Sequence, residues 1–157
     1  MTDGSDFAKD GPVLSACEVR VLTEVGFMAA ASPILRVETE QLFRQLMVLR
    51  PRRAFPYIGL ATACLNRGQV DQAAAVMAEG VQRQGAPWGE APLDAETFDP
   101  REDPAMMRVF FGLCLLAARR TAEGEQVLGS LLESCDHPPA VRLALGLLGR
   151  PPDTAIG

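Results

Sequence analysis

The stretch that most constrains the fold is residues 54–85, AFPYIGLATACLNRGQVDQAAAVMAEGVQRQG. It predicts a helix, a tight turn at Asn66-Arg67-Gly68 and a second helix of similar length. Small residues stand where the two helices must touch, namely Ala61 in the first helix and Ala73 and Gly80 in the second. Larger residues fill the space around these close approaches: Tyr57, Leu60, Cys64 and Met77.

This order of large and small residues resembles a tetratricopeptide (TPR) repeat. Such a repeat is a helix–turn–helix unit that buries its apolar face only by stacking on neighbouring units. The proline that commonly ends a repeat is missing, and Gly85 stands in its place. An ordinary helical hairpin with an alanine-rich interface is the alternative interpretation.

Further hairpins are predicted on both sides of this one. Residues 20–53 read as a degenerate first repeat, with helices over residues 13–31 and 34–49, because Phe43 falls on the register of Met77. A third repeat begins at Ala105, where Gly112 and Gly124 take the places of the small residues at the close approaches. A last helix over residues 139–149 is predicted to cover the open end. The predicted fold class is therefore all-α, a TPR-like helical-hairpin solenoid of about three repeats with a C-terminal capping helix.

The predicted domain is residues 12–150, with tails at residues 1–11 and 151–157. An acidic loop interrupts it at residues 86–104, where four prolines forbid a long helix. A loop of this length inside a compact domain is unusual and is often functional. A solvated connector is the alternative, although Trp88, the only tryptophan, suggests that the loop is pinned somewhere.

Composition argues against several classes of partner. The formal net charge is -5 and no basic stripe stands out, so neither nucleic acid nor an anionic membrane is expected as a partner. The four cysteines are scattered without Cys-x-x-Cys spacing and are predicted to be buried thiols in a reducing compartment. A disulfide or metal framework is the alternative. No secretory signal and no membrane-spanning apolar run is recognised, so a cytoplasmic location is expected.

No arrangement of residues predicts catalysis. The single histidine, His137, lies in a predicted loop between helices and fits a cap or surface residue better than a catalyst. There is no metal-ligand spacing, no glycine-rich phosphate loop and no Ser/His/Asp set. We therefore expect no enzyme activity, no cofactor and no metal, and a function carried by the surface.

The first helix of each repeat is expected to line a concave groove. The residues predicted to face that groove are Met28, Phe55, Ile58, Thr62, Leu65, Met106, Val109, Leu113 and Leu116. This line is almost wholly apolar, and an exposed apolar patch is usually an interaction site. An amphipathic helix laid apolar face down is the simplest occupant. The N-terminal segment or the acidic loop of the chain itself is the alternative occupant.

The run LFRQLMVLRPRRAFPYIGLATACLNRGQVDQAAAVMAEGV resembles the TPR chaperones of bacterial type III secretion, and FGLCLLAARRTAEGEQVLGSLLE repeats its style. That resemblance implies a small cytoplasmic chaperone that holds a needle or translocator subunit in its groove. The needle branch implies a small second helper protein, and the translocator branch implies a homodimer. The acidic insertion before the third repeat departs from both branches. A generic TPR adaptor and a homodimeric structural subunit are the alternative functions.

Overall fold

The computed structural model describes residues 15–32, 34, 36–85 and 102–151. These residues form helices and connections, with no strand among them. The helices are α1 (Ala16–Ala30), α2 (Arg36–Leu49), α3 (Ala54–Asn66), α4 (Val70–Gly85), α5 (Glu102–Ala117), α6 (Thr121–Ser134) and α7 (Pro138–Leu147). The all-α prediction is confirmed.

The helices pack as successive hairpins. Helices α1 and α2, α3 and α4, and α5 and α6 pair with each other, and each second helix also contacts the first helix that follows it. The first helices form a row of their own, because α3 contacts both α1 and α5, and α5 contacts α7. The predicted arrangement of helical hairpins is therefore confirmed, with α7 placed across the open end beside α5 and α6.

The helix ends follow local signals in the sequence. Ser15 caps α1 by a reciprocal pair of bonds, in which its backbone N–H donates to the Glu18 carboxylate at 2.7 Å and its hydroxyl oxygen accepts from the Glu18 backbone N–H at 3.3 Å. Helix α7 begins with two prolines, which the first helical turn tolerates because its N–H groups need no helical partner.

Several predicted boundaries are corrected. Helix α1 begins at Ala16 rather than at residue 13, since the serine cap fixes its start. Helix α5 begins at Glu102, so the last residues of the predicted loop are helical, with Pro104 in the first turn. Helix α7 runs from Pro138 to Leu147 instead of over residues 139–149. The predicted tail 1–11, loop residues 86–101 with Trp88, and residues 152–157 lie outside the described residues.

One turn recurs at the ends of α3, α5 and α7. In each, a backbone N–H donates at 2.9 Å to the carbonyl five residues earlier: Gln69 to Cys64, Arg120 to Leu115 and Arg150 to Leu145. The residue before each donor is left-handed, with φ of 72° at Gly68, 60° at Arg119 and 66° at Gly149. These are Schellman turns, which satisfy the last carbonyls of a helix. The turn gives the three helices a common register.

Small residues let the helices of each hairpin approach closely, as predicted. A Cβ added to Gly80 of α4 would lie 2.9 Å from Cγ of Tyr57 on α3, and one added to Gly112 of α5 would lie 2.6 Å from Leu128 on α6. The sequence analysis did not identify Gly59 as a close-packing position. Among the described glycines, a Cβ added to Gly59 would make the shortest contact, with the ring of Phe43. That ring is fully buried and holds the first hairpin against the second.

The apolar interior has two parts. The larger core joins the first two hairpins and extends to Met107, Cys114 and Leu115 of α5. The smaller core lies among α5, α6 and α7 and is built around Leu128, Leu131 and Ala144. Helix α5 therefore contributes to both cores, and this position determines which of its residues remain exposed along the row of first helices.

Candidate functional site: an apolar face along the first helices

The predicted groove residues of α3 lie on the surface of the larger core. Phe55, Ile58 and Leu65 are half-buried and pack against that core with part of each side chain exposed. The Thr62 hydroxyl is also half-buried and donates to the Ile58 carbonyl at 2.7 Å, so its polar group is satisfied within the helix. The arrangement leaves an apolar surface with no unsatisfied hydroxyl.

Helix α1 carries apolar side chains that are much more exposed than those of α3. Met28 is 78% exposed, and Val21 and Val25 lie on the same side of the helix at spacings of four and three residues. Helix α2 packs against α3, but no described helix precedes α1 and packs against it in the same way. No other described helix therefore covers the stripe formed by Val21, Val25 and Met28. Met28 is accordingly the most accessible of the predicted groove residues.

One of the predicted groove residues on α5 is corrected, and a second lies partly in the interface with α6. Val109 is only 2% exposed and belongs to the smaller core, because α7 packs against this part of α5. Leu116 packs into the α5–α6 interface, where a Cβ added to Gly124 would lie 2.8 Å from its Cδ2. Val109 is therefore not the exposed groove residue that the sequence predicts, whereas Leu116 keeps part of its side chain exposed.

The other two predicted residues of α5 keep exposed surface. Met106 is half-buried on the smaller core. Leu113 is half-buried and lines a depression of about 280 Å³ between α5 and α7. The residues lining this depression are Val109, Phe110, Leu113, Arg142, Leu143, Gly146 and Leu147. We call it the α5–α7 depression.

The recurring Schellman turn shows which positions of α3 and α5 are equivalent to the residues of α7 that line the depression. The carbonyls of Cys64, Leu115 and Leu145 occupy equivalent positions in that turn, so the residues after them are equivalent as well. These are Leu65, Leu116 and Gly146. The position that is a leucine in α3 and in α5 is therefore a glycine, which has no side chain, in α7. A Cβ added to Gly146 would meet nothing within 4 Å.

Sequence reasoning missed the part of this site that α7 supplies. It treated α7 as a cover for the end of the stack rather than as a helix in register with α3 and α5. The signal was present in the Leu148-Gly149-Arg150 segment, which ends α7 with the same turn that Arg67-Gly68-Gln69 makes at the end of α3. Aligning these turns would have placed Arg142 and Gly146 beside Leu113.

Charge on this face is sparse. Arg142 is the one charged residue that lines the depression, and it forms no ion pair within the described part of the chain. Next to Phe55, the Arg53 guanidinium carbon lies 5.7 Å from the centre of the ring. Such a cation–π contact covers part of the ring while leaving its edge accessible.

The cysteines and the single histidine differ in how far they are buried. The four cysteines are free thiols. Cys64 and Cys114 are buried as predicted, whereas that prediction is wrong for Cys17, which is exposed, and for Cys135, which is half-buried. Burial raises the pKa of the Cys114 thiol to about 12, with a smaller contribution from Cys64. His137 is buried at the start of α7 rather than exposed, and its Nδ1 has no hydrogen-bond partner among the described residues.

Across residues 15–32, 34, 36–85 and 102–151, no group of three or more His, Cys, Asp or Glu side chains is placed to hold a metal ion. Within the same residues, no helix combines the length and the apolar character needed to cross a bilayer. The chain matches no family model, no curated protein and no solved structure.

Proposed function

We propose that this protein is a cytoplasmic chaperone that holds an apolar helix of an export substrate along its first helices. The resemblance to type III secretion chaperones suggests a needle or translocator subunit as that substrate. The observation that carries the proposal is that successive first helices each carry an exposed or half-buried apolar side chain at the predicted groove positions, namely Met28 on α1, Phe55 and Ile58 on α3, and Leu113 on α5.

The physical need for such a chaperone is clear. A subunit that polymerises or forms a pore has self-complementary apolar surface and would aggregate if left free. Covering about 600 Å² of that surface would contribute roughly 15 kcal/mol before ordering and association costs are subtracted. Because those costs are large, the remaining affinity supports a complex that can be released at export.

The proposal is tested by co-expression with candidate needle and translocator subunits, using Leu113→Asp as the disrupting variant. Leu113 is half-buried on α5 and lines the α5–α7 depression together with Arg142, so an aspartate there would replace apolar contact area with a carboxylate beneath a bound helix, while that carboxylate would remain hydrated in the free protein. We expect the variant to lose the guest and to keep its helical circular dichroism.

Val48→Asp is the matched control, because Val48 is an aliphatic residue of α2 that is 73% exposed. It should retain the guest. Loss of the guest in both variants, or in neither of them while both remain folded, would contradict the assignment of this face. An unfolded Leu113→Asp would mean that Leu113 belongs to the core.

The exposed stripe of α1 favours a second candidate function, a homodimeric structural subunit. Val21, Val25 and Met28 together form an apolar surface with no described neighbour. A permanent dimer through this stripe would show a mass that rises with concentration in the absence of any guest. It would be disrupted by Val25→Asp and unaffected by Leu113→Asp.

A further inference from the structure

We propose that the α5–α7 depression is the anchoring pocket for the guest helix. It takes one large apolar side chain, and a carboxylate one helical turn away on the guest pairs with Arg142. This inference rests on the proposed function and goes further by specifying the chemistry of the partner. The guest is an amphipathic helix with an acidic residue three or four positions from its anchoring apolar residue.

The shape of the depression supports an anchor. Its walls come from two helices, with Leu113 and Phe110 on α5 and Leu143 and Leu147 on α7. Gly146 lies on its lining without a side chain, whereas the equivalent positions of α3 and α5 carry Leu65 and Leu116. A site built from aliphatic and aromatic walls with a few polar groups at the edge is the usual form of a pocket for an apolar group.

The positive charge of Arg142 at the edge of the depression determines which guest helices are preferred. Arg142 is exposed, lines the depression and pairs with no described carboxylate. Its equivalents in the recurring register are Ala61 and Gly112, which must be small because the second helix of their own hairpin packs there. No described helix follows α7, so this position is free to carry a guanidinium that recognises a carboxylate.

The spacing on the guest follows from helix geometry. Residues three or four apart lie on one face of a helix, so an anchoring side chain and a carboxylate at that spacing can both reach α7. An apolar residue in the depression alone would fit many helices. The pairing with Arg142 adds selectivity against guests with a basic residue at the same position, because like charges repel.

The first test uses two capped amphipathic peptides of about 15 residues, a length at which short helices begin to form in water. The peptides are identical except for the residue four positions after a central leucine, which is Glu in one and Lys in the other. Their binding is measured by isothermal titration calorimetry. We expect the wild-type protein to bind the Glu peptide roughly threefold more tightly than the Lys peptide, as for an exposed ion pair.

Gly146→Leu tests the pocket itself. A leucine there adds a bulky side chain at the lining of the depression, and its Cβ meets nothing within 4 Å. The variant should bind the Glu peptide roughly tenfold more weakly, which is the loss expected when an apolar side chain is no longer buried. Gly129→Leu is the matched control, since Gly129 lies on α6, outside the depression, with equally open space around it.

Arg142→Glu tests the charge. We expect the preference to reverse, so that the Lys peptide binds more tightly. An unchanged preference in Arg142→Glu, or equal weakening by Gly146→Leu and Gly129→Leu, would overturn the proposal. Failure of both peptides to bind the wild-type protein would also overturn it, as would follow if the chain's own residues filled the depression.

The proposed function is judged by a separate experiment. Co-expression with a needle or translocator subunit is repeated with Gly146→Leu and Arg142→Glu. Capture of the subunit by the wild-type protein and equally by both variants would leave the chaperone function in place and eliminate only the anchoring pocket. Absence of capture by the wild-type protein would count against the chaperone function itself.

Discussion

Gly59→Ala is the substitution that should most directly weaken the packing between the first two hairpins. A Cβ added to Gly59 of α3 would lie 2.6 Å from Cδ1 of Phe43 and closer still to two further atoms of that ring. Ordinary van der Waals contact begins near 3.4 Å, so the ring would have to withdraw by more than about 0.8 Å.

The ring has little room to withdraw. On α1, a Cβ added to Gly26 would already lie 3.0 Å from Cζ of Phe43, and the Phe27 ring meets the Phe43 ring edge to face at 5.5 Å between centroids. Overpacking of this kind costs about 3 kcal/mol. Alanine regains about 1 kcal/mol over glycine as a helix former, so we expect a net loss of about 2 kcal/mol in unfolding free energy.

Urea unfolding followed by circular dichroism at 222 nm measures this loss, with an accompanying fall in Tm of about 4–8 °C. Gly129→Ala is the control, because a Cβ there meets nothing and should stabilise α6 by about 0.5–1 kcal/mol. In a Phe43→Leu background the cost of Gly59→Ala should largely disappear. A Gly59→Ala protein as stable as the wild type would refute the reasoning.

The recurring turn and the cysteine thiols give three further predictions. Gly68 and Arg119 both have left-handed backbone conformations, which glycine adopts without strain. Arg119→Gly should therefore raise the unfolding free energy by about 0.5–1 kcal/mol, and Gly68→Ala should lower it by about 1 kcal/mol. Urea unfolding in which both substitutions change the stability in the same direction would contradict this. Burial raises the pKa of the Cys114 thiol to about 12, so between pH 9 and about 12 this thiol ionises in the unfolded chain but not in the folded one. The free energy of unfolding should therefore be unaffected by this thiol below pH 9 and should fall as the pH rises from 9 to about 12. In native protein at pH 8, iodoacetamide should modify exposed Cys17 and leave Cys64 and Cys114 unmodified, as mass spectrometry of the digested protein would report.

The hairpin at residues 54–85 was predictable because its signals are local. Ala61, Ala73 and Gly80 mark the close approaches, and Gly68 marks the turn, so spacing alone identifies both helices. The third hairpin was predictable for the same reason, since Gly112 repeats the pattern against Leu128. In each case the residues that determine the structure lie within one hairpin.

The features that were missed depend on contacts between hairpins. Gly59 reads in the sequence as a weak helix former, and only the position of Phe43 on another helix shows why a side chain is excluded there. Val109 has the spacing of a groove residue, but α7 buries it from a distant part of the chain. Gly146 lines the α5–α7 depression without a side chain, and a glycine adds nothing to the apolar pattern from which groove residues are predicted.

The central claim, that the first-helix face holds an apolar helix of a partner, is tested most directly by light scattering coupled to size exclusion. The protein is measured alone and after co-expression with a candidate needle or translocator subunit. The account predicts a stable complex containing one copy of the subunit, whose polymerisation is prevented. A protein that elutes at the same mass with and without every such subunit, while those subunits polymerise freely, would contradict it.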